Sequence, residues 1–191
     1  IRKNSIGVFP FDTREKKIIL YQGAVNVGRG IELMIETMKH LKNHIFVVIG
    51  SGDIYEKVKT QAIQLIADNK VCFLGKLPPL EMQKLTPLAN IGISLEEDLG
   101  LNYRYALPNK LFDYLHAEIP VLVSNLPEMK KIIDTYKFGE IVQNRNPELL
   151  AKQIELFDFK KHSEEIISAK KILNWKNEEQ KIISIYQNAK K

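Results

Sequence analysis

Short apolar runs alternate with segments of helical periodicity along this chain, and this alternation constrains the fold more than any other feature. The runs favour β-structure and do not alternate in polarity, which is typical of strands covered on both faces of a sheet. They predict strands at Lys17–Tyr21, Ile45–Ile49, Val71–Leu74, Ile91–Leu95, Val121–Ser124 and Glu140–Val142. The helical segments are Ile31–Leu41, Ile54–Asn69, Leu80–Leu85, Asn109–Ala117, Glu128–Tyr136 and Pro147–Phe157, with a purely helical pattern after Phe159. This order predicts an α/β fold with a doubly wound parallel sheet and C-terminal helices.

Composition favours a single cytosolic globular domain. The chain has 191 residues, 45% of them hydrophobic, which is enough for one well-packed domain and too few for two ordinary ones. No apolar run approaches the roughly 20 residues of a transmembrane helix. The single cysteine, Cys72, lies in an apolar run and is expected in the core rather than at a reactive site. The four histidines show no metal-ligand spacing, so we expect no metal site.

The positive charge of the chain is concentrated near its end. The net charge is +5, and residues 160–191 contain eight lysines and four glutamates, a net of +4. Because the glutamates are interleaved with the lysines, a solvated helical face is favoured and no nucleic-acid partner is expected. The alternative is peripheral association with an anionic membrane. We expect the apolar residues of this segment to pack onto the domain instead, namely Ile166, Ile167, Trp175, Ile182, Ile183 and Ile185.

A glycine-rich loop joins the first predicted strand to the first predicted helix. Its sequence, YQGAVNVGRG over Tyr21–Gly30, contains Gly23, Gly28 and Gly30 and a single cation, Arg29. A turn of this kind exposes backbone N–H groups at the positive end of a helix, where phosphate binds readily. The spacing matches neither the dinucleotide fingerprint nor a P-loop, which needs Lys and a hydroxyl where Arg29 and Gly30 stand. From this segment alone, phosphate binding and a simple tight turn are equally open.

The other predicted strand ends also carry glycine and polar residues. These ends are Gly50–Asp53, Gly75–Pro78, Glu96–Leu107 and Ser124–Pro127. In a doubly wound sheet, ligands bind outside the carboxyl ends of the strands, so a binding crevice is expected along this edge.

A second informative segment, LPNKLFDYL, starts a helix after Pro108. Asn109 and Lys110 then lie at the positive end of that helix, where a cation is favourable if an anion is bound beside it. Lys110 and Asp113 share a helix face, and Asp113 would accept hydrogen bonds from vicinal hydroxyls such as those of ribose. The alternative for these two residues is an ordinary surface ion pair.

Four segments, in this order, resemble the nucleotide-sugar-binding half of GT-B glycosyltransferases. They are YQGAVNVGRG, VVIGSGD, VCFLGKLPPLEMQKLTPLANIGISL and LPNKLFDYLHAEIPVLVSNLPEM. More narrowly, they are similar to the group 1 retaining transferases that build bacterial capsules, O-antigens and other cell-envelope glycans. The resemblance implies that residues 1–14 are an interdomain linker remnant and that residues 15–145 form a Rossmann-like donor-binding domain. Residues 146–191 would form a C-terminal helical segment packed on the same domain.

The resemblance also implies residue roles. In the family loop, two cations touch the donor pyrophosphate. Ala24 stands where the first of them would be, and Arg29 takes the place of the second, so the missing contact is assigned to Lys110. The implied phosphate-binding residues are Gly23, Ala24, Arg29, Gly30, Asn109 and Lys110. The nucleobase would lie near Phe73, Leu74, Gly75, Lys76 and Leu77, held mainly by the backbone.

A second family signature consists of two glutamates separated by seven residues. Asp113 matches the second, ribose-binding one, whereas Tyr105 stands in place of the first. Glu96 and Glu97, from the same loop, are candidate substitutes for that first glutamate.

The activity implied is transfer of a sugar from a UDP-, GDP- or similar nucleotide-sugar to an acceptor hydroxyl, with no metal or other cofactor. Cations, backbone N–H groups and helix ends would stabilise the departing diphosphate. No catalytic residue is assigned, because most are expected in an N-terminal domain that is absent from this chain. The nucleotide-sugar and that domain are the expected partners. The expected location is cytoplasmic, with peripheral association of the full-length enzyme at the inner face of the membrane as the alternative.

Two alternatives stay open at this point. A receiver-like regulatory module would need an acidic cluster after the first strand, where Gly23–Val25 stands, and a phosphoacceptor Asp after the third, where Gly75 and Lys76 stand. A degenerate transferase that binds nucleotide without chemistry fits better, since Ala24 and Tyr105 depart from the family pattern.

Overall fold

The described residues form a sheet of six parallel strands in the order β3-β2-β1-β4-β5-β6. The computed structural model describes residues 7–13 and 15–189. The strands are β1 (Lys17–Gln22), β2 (His44–Ile49), β3 (Val71–Gly75), β4 (Ile91–Ser94), β5 (Val121–Val123) and β6 (Gly139–Ile141). Leu20 at the centre of the sheet pairs with Val47 of β2 and Gly92 of β4. The strand order reverses between β1 and β4, so the predicted doubly wound, Rossmann-like fold is confirmed.

Helices cover both faces of this sheet. They are α1 (Ile31–Met38), α2 (Tyr55–Gln61), α3 (Ile63–Ala67), α4 (Pro79–Leu85), α5 (Leu101–Arg104), α6 (Lys110–His116), α7 (Pro127–Tyr136), α8 (Pro147–Glu155), α9 (Ser163–Ile172) and α10 (Trp175–Ala189). One core packs α1, α2, α3 and α8 on one face, and a second core packs α4, α6, α7 and α9 on the other. Ile19 and Tyr21 belong to the first core, whereas Ile18 and Leu20 belong to the second. Burial on both faces explains why the strands are apolar throughout.

A glycine inside β4 determines how closely α6 approaches the sheet. A β-carbon on Gly92 would lie 2.4 Å from the ring of Tyr114, so only glycine leaves room for that ring. The Tyr114 side chain is fully buried. Its hydroxyl lies 3.2 Å from the Leu20 carbonyl and accepts a hydrogen bond from the Gln22 N–H at 3.0 Å. These contacts hold α6 against the end of β1.

Some predicted boundaries are wrong. The helix predicted over residues 54–69 is two helices, because Ala62 leaves helical geometry with φ −89° and ψ 6°. Val58, Ala62 and Leu65 are still buried together in one core, so both helices keep the predicted apolar face. The loop predicted over residues 96–107 contains the short helix α5, and β6 begins one residue earlier than predicted.

The start of the chain partly packs on the domain. Residues 1–6 and 14 of the expected linker remnant lie outside the described residues. Within residues 7–13, Phe9 is buried in the second core, and its ring stacks on Phe11 with centroids 5.1 Å apart. This part of the expected linker therefore contributes to the core.

The last helix departs from the packing expected of it. Ile166 of α9 is buried, as expected, but Trp175 and Ile185 of α10 are 70% and 65% exposed. Ile182 and Ile183 of α10 are also exposed, as is Ile167 of α9. The expectation that α10 packs its apolar residues on the domain is therefore wrong. Within the described part of the chain, no helix combines the length and the apolar character needed to cross a bilayer.

Candidate functional site

A pocket of about 340 Å³ opens at the carboxyl end of β1. It is lined by Tyr21, Gln22, Gly23, Ala24, Arg29, Met82, Pro108, Asn109, Lys110 and Asp113. Every predicted phosphate- and ribose-binding residue except Gly30 lines this pocket. The fold also brings together residues that are far apart in the sequence, such as Gln22 and Asp113, which are 91 positions apart.

The glycine loop is fixed by hydrogen bonds to the end of β2. The Gly23 N–H donates to the Ile49 carbonyl at 2.9 Å, and the Val25 N–H donates to the Ser51 carbonyl at 3.0 Å. A β-carbon on Gly50 would lie 1.8 Å from the Gly23 oxygen, so the two chain segments approach as closely as glycine allows. The loop is therefore held in place before any ligand arrives.

Gly30 has a packing role that the sequence prediction did not include. Its φ is +76°, and a β-carbon there would lie 2.2 Å from the backbone oxygen of Leu95. Gly30 is buried at the start of α1. It therefore brings the glycine loop against the chain that follows β4, and its backbone contact with phosphate stays a prediction.

Lys110 lies almost entirely below the surface and pairs with a carboxylate. Its side chain is 10% exposed, and its Nζ lies 2.8 Å from Oε1 of Glu96, whose side chain is 0% exposed. The same Nζ lies 4.2 Å from the centre of the Tyr21 ring. Burial lowers the pKa of the Lys110 ammonium, and the Glu96 carboxylate opposes that shift. Burial and the same carboxylate raise the pKa of the Tyr21 phenol well above its usual range.

Arg29 reaches the same carboxylate from the other side. Its Nη1 lies 3.7 Å from Oε1 of Glu96, and its guanidinium lies 5.2 Å from the centre of the Tyr103 ring. The Tyr103 hydroxyl donates to the Val27 carbonyl at 3.0 Å, which joins α5 to the glycine loop. Among the described residues, the buried Nε of Arg29 has no hydrogen-bond acceptor. The Arg29 side chain as a whole is 30% exposed and lines the pocket, so it is accessible to a ligand there.

Asp113 is exposed in the pocket and is held by a neighbour from β1. Its Oδ2 accepts a hydrogen bond from Nε2 of Gln22 at 3.0 Å. The Gln22 oxygen accepts from the Thr86 hydroxyl at 2.9 Å, and both of these residues are buried. The predicted alternative, a Lys110–Asp113 surface pair, is wrong, since Lys110 pairs with Glu96.

The predicted nucleobase segment lies apart from this pocket, at the edge strand. Phe73 and Leu74 belong to β3 and are half-buried, and Lys76 is exposed. The Gly75 carbonyl accepts a hydrogen bond from the Gly50 N–H at 2.8 Å. The segment adjoins the end of β2, but its residues do not line the pocket, and its contact with a base stays a prediction.

The two candidate substitutes for the missing family glutamate lie away from the pocket opening. Glu96 is fully buried behind Lys110, where Oε2 accepts a hydrogen bond from the Ser94 hydroxyl at 2.7 Å. Glu97 lies 3.8 Å from the Arg145 guanidinium and lines a separate hollow. Tyr105 is 58% exposed. The structure thus places none of the three among the residues that line the pocket.

The start of α6 offers fewer free backbone donors than the sequence suggested. The Leu111 N–H donates to the Pro108 carbonyl at 3.1 Å. The Phe112 and Asp113 N–H groups donate to the Asn109 carbonyl at 3.0 and 3.2 Å. The side chains of Arg29 and Lys110 therefore supply most of the positive charge in the pocket.

The sequence analysis did not predict the role of Gln22 or the role of Glu96 as a counter-ion. Gln22 is a polar residue at the end of the apolar strand β1, and Glu96 is a carboxylate just after β4. These positions are visible in the sequence, but they do not show which residue each side chain contacts. Within residues 7–13 and 15–189, no three His, Cys, Asp or Glu side chains are grouped as a metal site would require.

Residues 8–172 match the family model described as glycosyl transferases group 1. The chain belongs to this family. An uncharacterized glycosyltransferase of Methanocaldococcus jannaschii is 28% identical over 198 residues, covering 98% of this chain and 48% of the relative. The chain thus spans about half the length of that curated relative.

Solved structures of other proteins share the fold. A Rickettsia africae glycosyltransferase superimposes with a TM-score of 0.73 at 20% identity, covering 91% of this chain and 48% of that one. The Anabaena protein HepE, in complex with UDP, gives a TM-score of 0.75 at 11% identity, covering 92% and 50%. The group 1 glycosyltransferase domain described here therefore has the architecture of a GT-B half.

Proposed function

We propose that this domain binds the nucleoside diphosphate part of a nucleotide-sugar donor and presents it for sugar transfer to an acceptor hydroxyl. The observation that carries the proposal is the convergence of Arg29, Lys110 and Asp113 on one pocket beside the glycine loop. Two cations fit a diphosphate, and a carboxylate beside them fits the ribose hydroxyls. The description of HepE as a UDP complex supports a nucleotide donor.

The cations would act on the leaving group. When the glycosidic bond to the donor breaks, negative charge develops on the diphosphate. Arg29 and Lys110 would stabilise that charge from a partly buried position, where electrostatic interactions are stronger than in bulk water. This mechanism assigns the residues no proton transfer.

We further propose that this domain is the C-terminal half of a retaining transferase. Its N-terminal half would hold the acceptor and most catalytic residues, since the relative is about twice as long. The motif order supports a role in cell-envelope glycan synthesis at the cytoplasmic side of the membrane. The interleaved charges of residues 160–191 argue against a nucleic-acid partner.

Calorimetry with UDP, GDP and ADP in the presence of EDTA tests donor binding. We expect weak binding of at least one nucleotide at millimolar concentration. We expect Arg29→Gln to weaken it about tenfold or more, because a charge-assisted hydrogen bond is lost. Arg104→Gln is the matched control, since Arg104 is a surface residue paired with Asp98 outside the pocket. No binding of any nucleotide by the wild-type chain would contradict the proposal.

A degenerate nucleotide-binding domain is the second candidate. It is favoured by Tyr105, which is 58% exposed where the family carries a glutamate. Transfer assays on the full-length protein separate the two. Nucleotide binding without hydrolysis or transfer of any nucleotide-sugar would support the degenerate form.

A further inference from the structure

Glu96 stands out because it is a fully buried carboxylate beside a site expected to bind an anion. Its Oε1 lies 2.8 Å from Lys110 Nζ and 3.7 Å from Arg29 Nη1. Both cations line the pocket, whereas Glu96 does not. The carboxylate therefore lies behind the cations and would not touch a ligand in the pocket.

The position of the carboxylate is fixed from the protein side. Its Oε2 accepts a hydrogen bond from the buried Ser94 hydroxyl at 2.7 Å. The Glu96 backbone oxygen lies 3.4 Å from Arg145 Nη1, and that guanidinium also donates to the Ser124 hydroxyl at 2.9 Å. A carboxylate held at both its side chain and its backbone is poorly placed to swing aside when an anion binds.

The charged state of Lys110 depends on this carboxylate because of the groups that surround the ammonium. The charged and titratable groups that face it are Glu96 from the loop after β4, Arg29 from the glycine loop and Tyr21 from β1. Asp113, one turn further along α6, lines the same pocket and is hydrogen-bonded to Gln22. A buried ammonium beside a guanidinium loses its proton readily unless a carboxylate balances it.

We propose that Glu96 is a positioning residue of the pocket, a permanent counter-ion that keeps the Lys110 ammonium charged and directed at the ligand. The inference rests on the proposed nucleotide binding. The side chains of Lys110, Arg29 and Glu96 together carry a formal net charge of +1 at neutral pH, and Asp113 on the same pocket brings the total to zero. Loss of the Lys110 charge would therefore leave the site net negative beside an anionic ligand. Glu96 thus acts on the ligand only through Lys110.

The test compares UDP binding by the wild type and Glu96→Gln from about pH 6 to about pH 9. Taking the ratio of the two dissociation constants at each pH removes the titration of UDP itself. At low pH we expect the variant to bind at least as tightly, because the net charge near the ligand rises. At high pH we expect it to bind about tenfold weaker, because Lys110 is neutral and a charge-assisted hydrogen bond is lost. A ratio that is constant across this range would overturn the inference.

Three variants sharpen the comparison. Glu97→Gln, in the same loop but outside the pocket, should show a constant ratio. Glu96→Asp keeps the charge and should also show a constant ratio. Adding Lys110→Arg to Glu96→Gln should remove the pH dependence, since a guanidinium does not deprotonate in this range. Persistence of the pH dependence in that double variant would assign it to another group and overturn the inference.

A ligand-free measurement separates this inference from the proposed function. Nitrogen NMR of lysine side chains, with Lys110 assigned by the Lys110→Arg variant, follows its protonation directly. We expect Lys110 to be protonated at neutral pH in the wild type and to titrate at a lower pH in Glu96→Gln, where the opposing carboxylate is gone. A neutral Lys110 at neutral pH in the wild type overturns the inference even if Glu96→Gln does not fold. Absence of UDP, GDP and ADP binding together with the expected NMR result would overturn only the proposed function.

Discussion

At the scale of single residues, the pocket depends on a short chain of hydrogen bonds that orients Asp113. An ionised carboxylate only accepts hydrogen bonds, so Gln22 must present its NH₂ group to Asp113. The Gln22 oxygen then faces the Thr86 hydroxyl, at 2.9 Å. Because Gln22 and Thr86 are buried, this pair holds the carboxylate in one orientation. One of its oxygens is engaged in that contact, and the other remains for a ligand.

We expect Asp113→Ala to weaken binding of UDP or GDP. A lost hydrogen bond to a hydroxyl costs about 0.5–1.5 kcal/mol, and more when the acceptor is charged. The 2′,3′-dideoxy nucleotide should bind the variant almost as well as the ribonucleotide does, whereas the wild type should prefer ribose. Asp134→Ala, which removes a surface carboxylate paired with Lys130 on α7, is the control and should leave that preference unchanged. Equal discrimination by Asp113→Ala and the wild type would contradict the ribose assignment.

At the scale of elements, the site is built where two βα connections touch. Gly30, at the start of α1, lies against the Leu95 backbone at the end of β4. The next residue along that chain is Glu96, the partner of both cations. The close approach at Gly30 thus sets the distance between the glycine loop and the counter-ion.

Gly30→Ala should lower the free energy of unfolding by about 3 kcal/mol, through positive φ and a backbone clash together. Gly100→Ala is the matched control, because Gly100 also has a positive φ, of +150°, but its β-carbon would meet nothing within 4 Å. We expect that control to lose only about 1–2 kcal/mol. Urea unfolding of both variants measures the difference. Equal losses of unfolding free energy in the two variants would show that the clash with the Leu95 backbone adds nothing to the cost of the positive φ.

At the scale of the whole molecule, α10 leaves an apolar stripe uncovered. Trp175 and Tyr186 are 70% and 68% exposed, and Ile185 is 65% exposed. Residues 160–191, which include this helix, carry +4 of the net charge of +5, although α10 itself contains two lysines and two glutamates. Exposed aromatic and aliphatic side chains among lysines are typical of helices that bind a membrane surface.

We expect the chain to co-sediment with phosphatidylglycerol vesicles at low salt and to be released at high salt. Each lysine near an anionic surface contributes at most about 1 kcal/mol, which salt screens within a Debye length. Replacing Trp175, Ile185 and Tyr186 with serine should reduce binding at low salt, while serine at the more exposed Val8, outside the helix, should not. Equal recovery in the supernatant at both salt concentrations would leave α10 without a membrane role.

The parallel sheet, and the edge of it on which the pocket lies, could be predicted from the sequence. Strand and helix periodicities are local properties, and the carboxyl ends of parallel strands meet at one edge whatever the side chains do. For that reason the sequence predicts a binding crevice along that edge, and the family resemblance predicts that Gly23, Arg29, Lys110 and Asp113 share a site there. The pairing of the charges depends on tertiary packing. Glu96 and Lys110 are 14 positions apart, and nothing in their spacing says that one is buried behind the other. The sequence also could not predict the exposure of α10. An amphipathic pattern shows that a helix has an apolar face, but it does not show what covers that face.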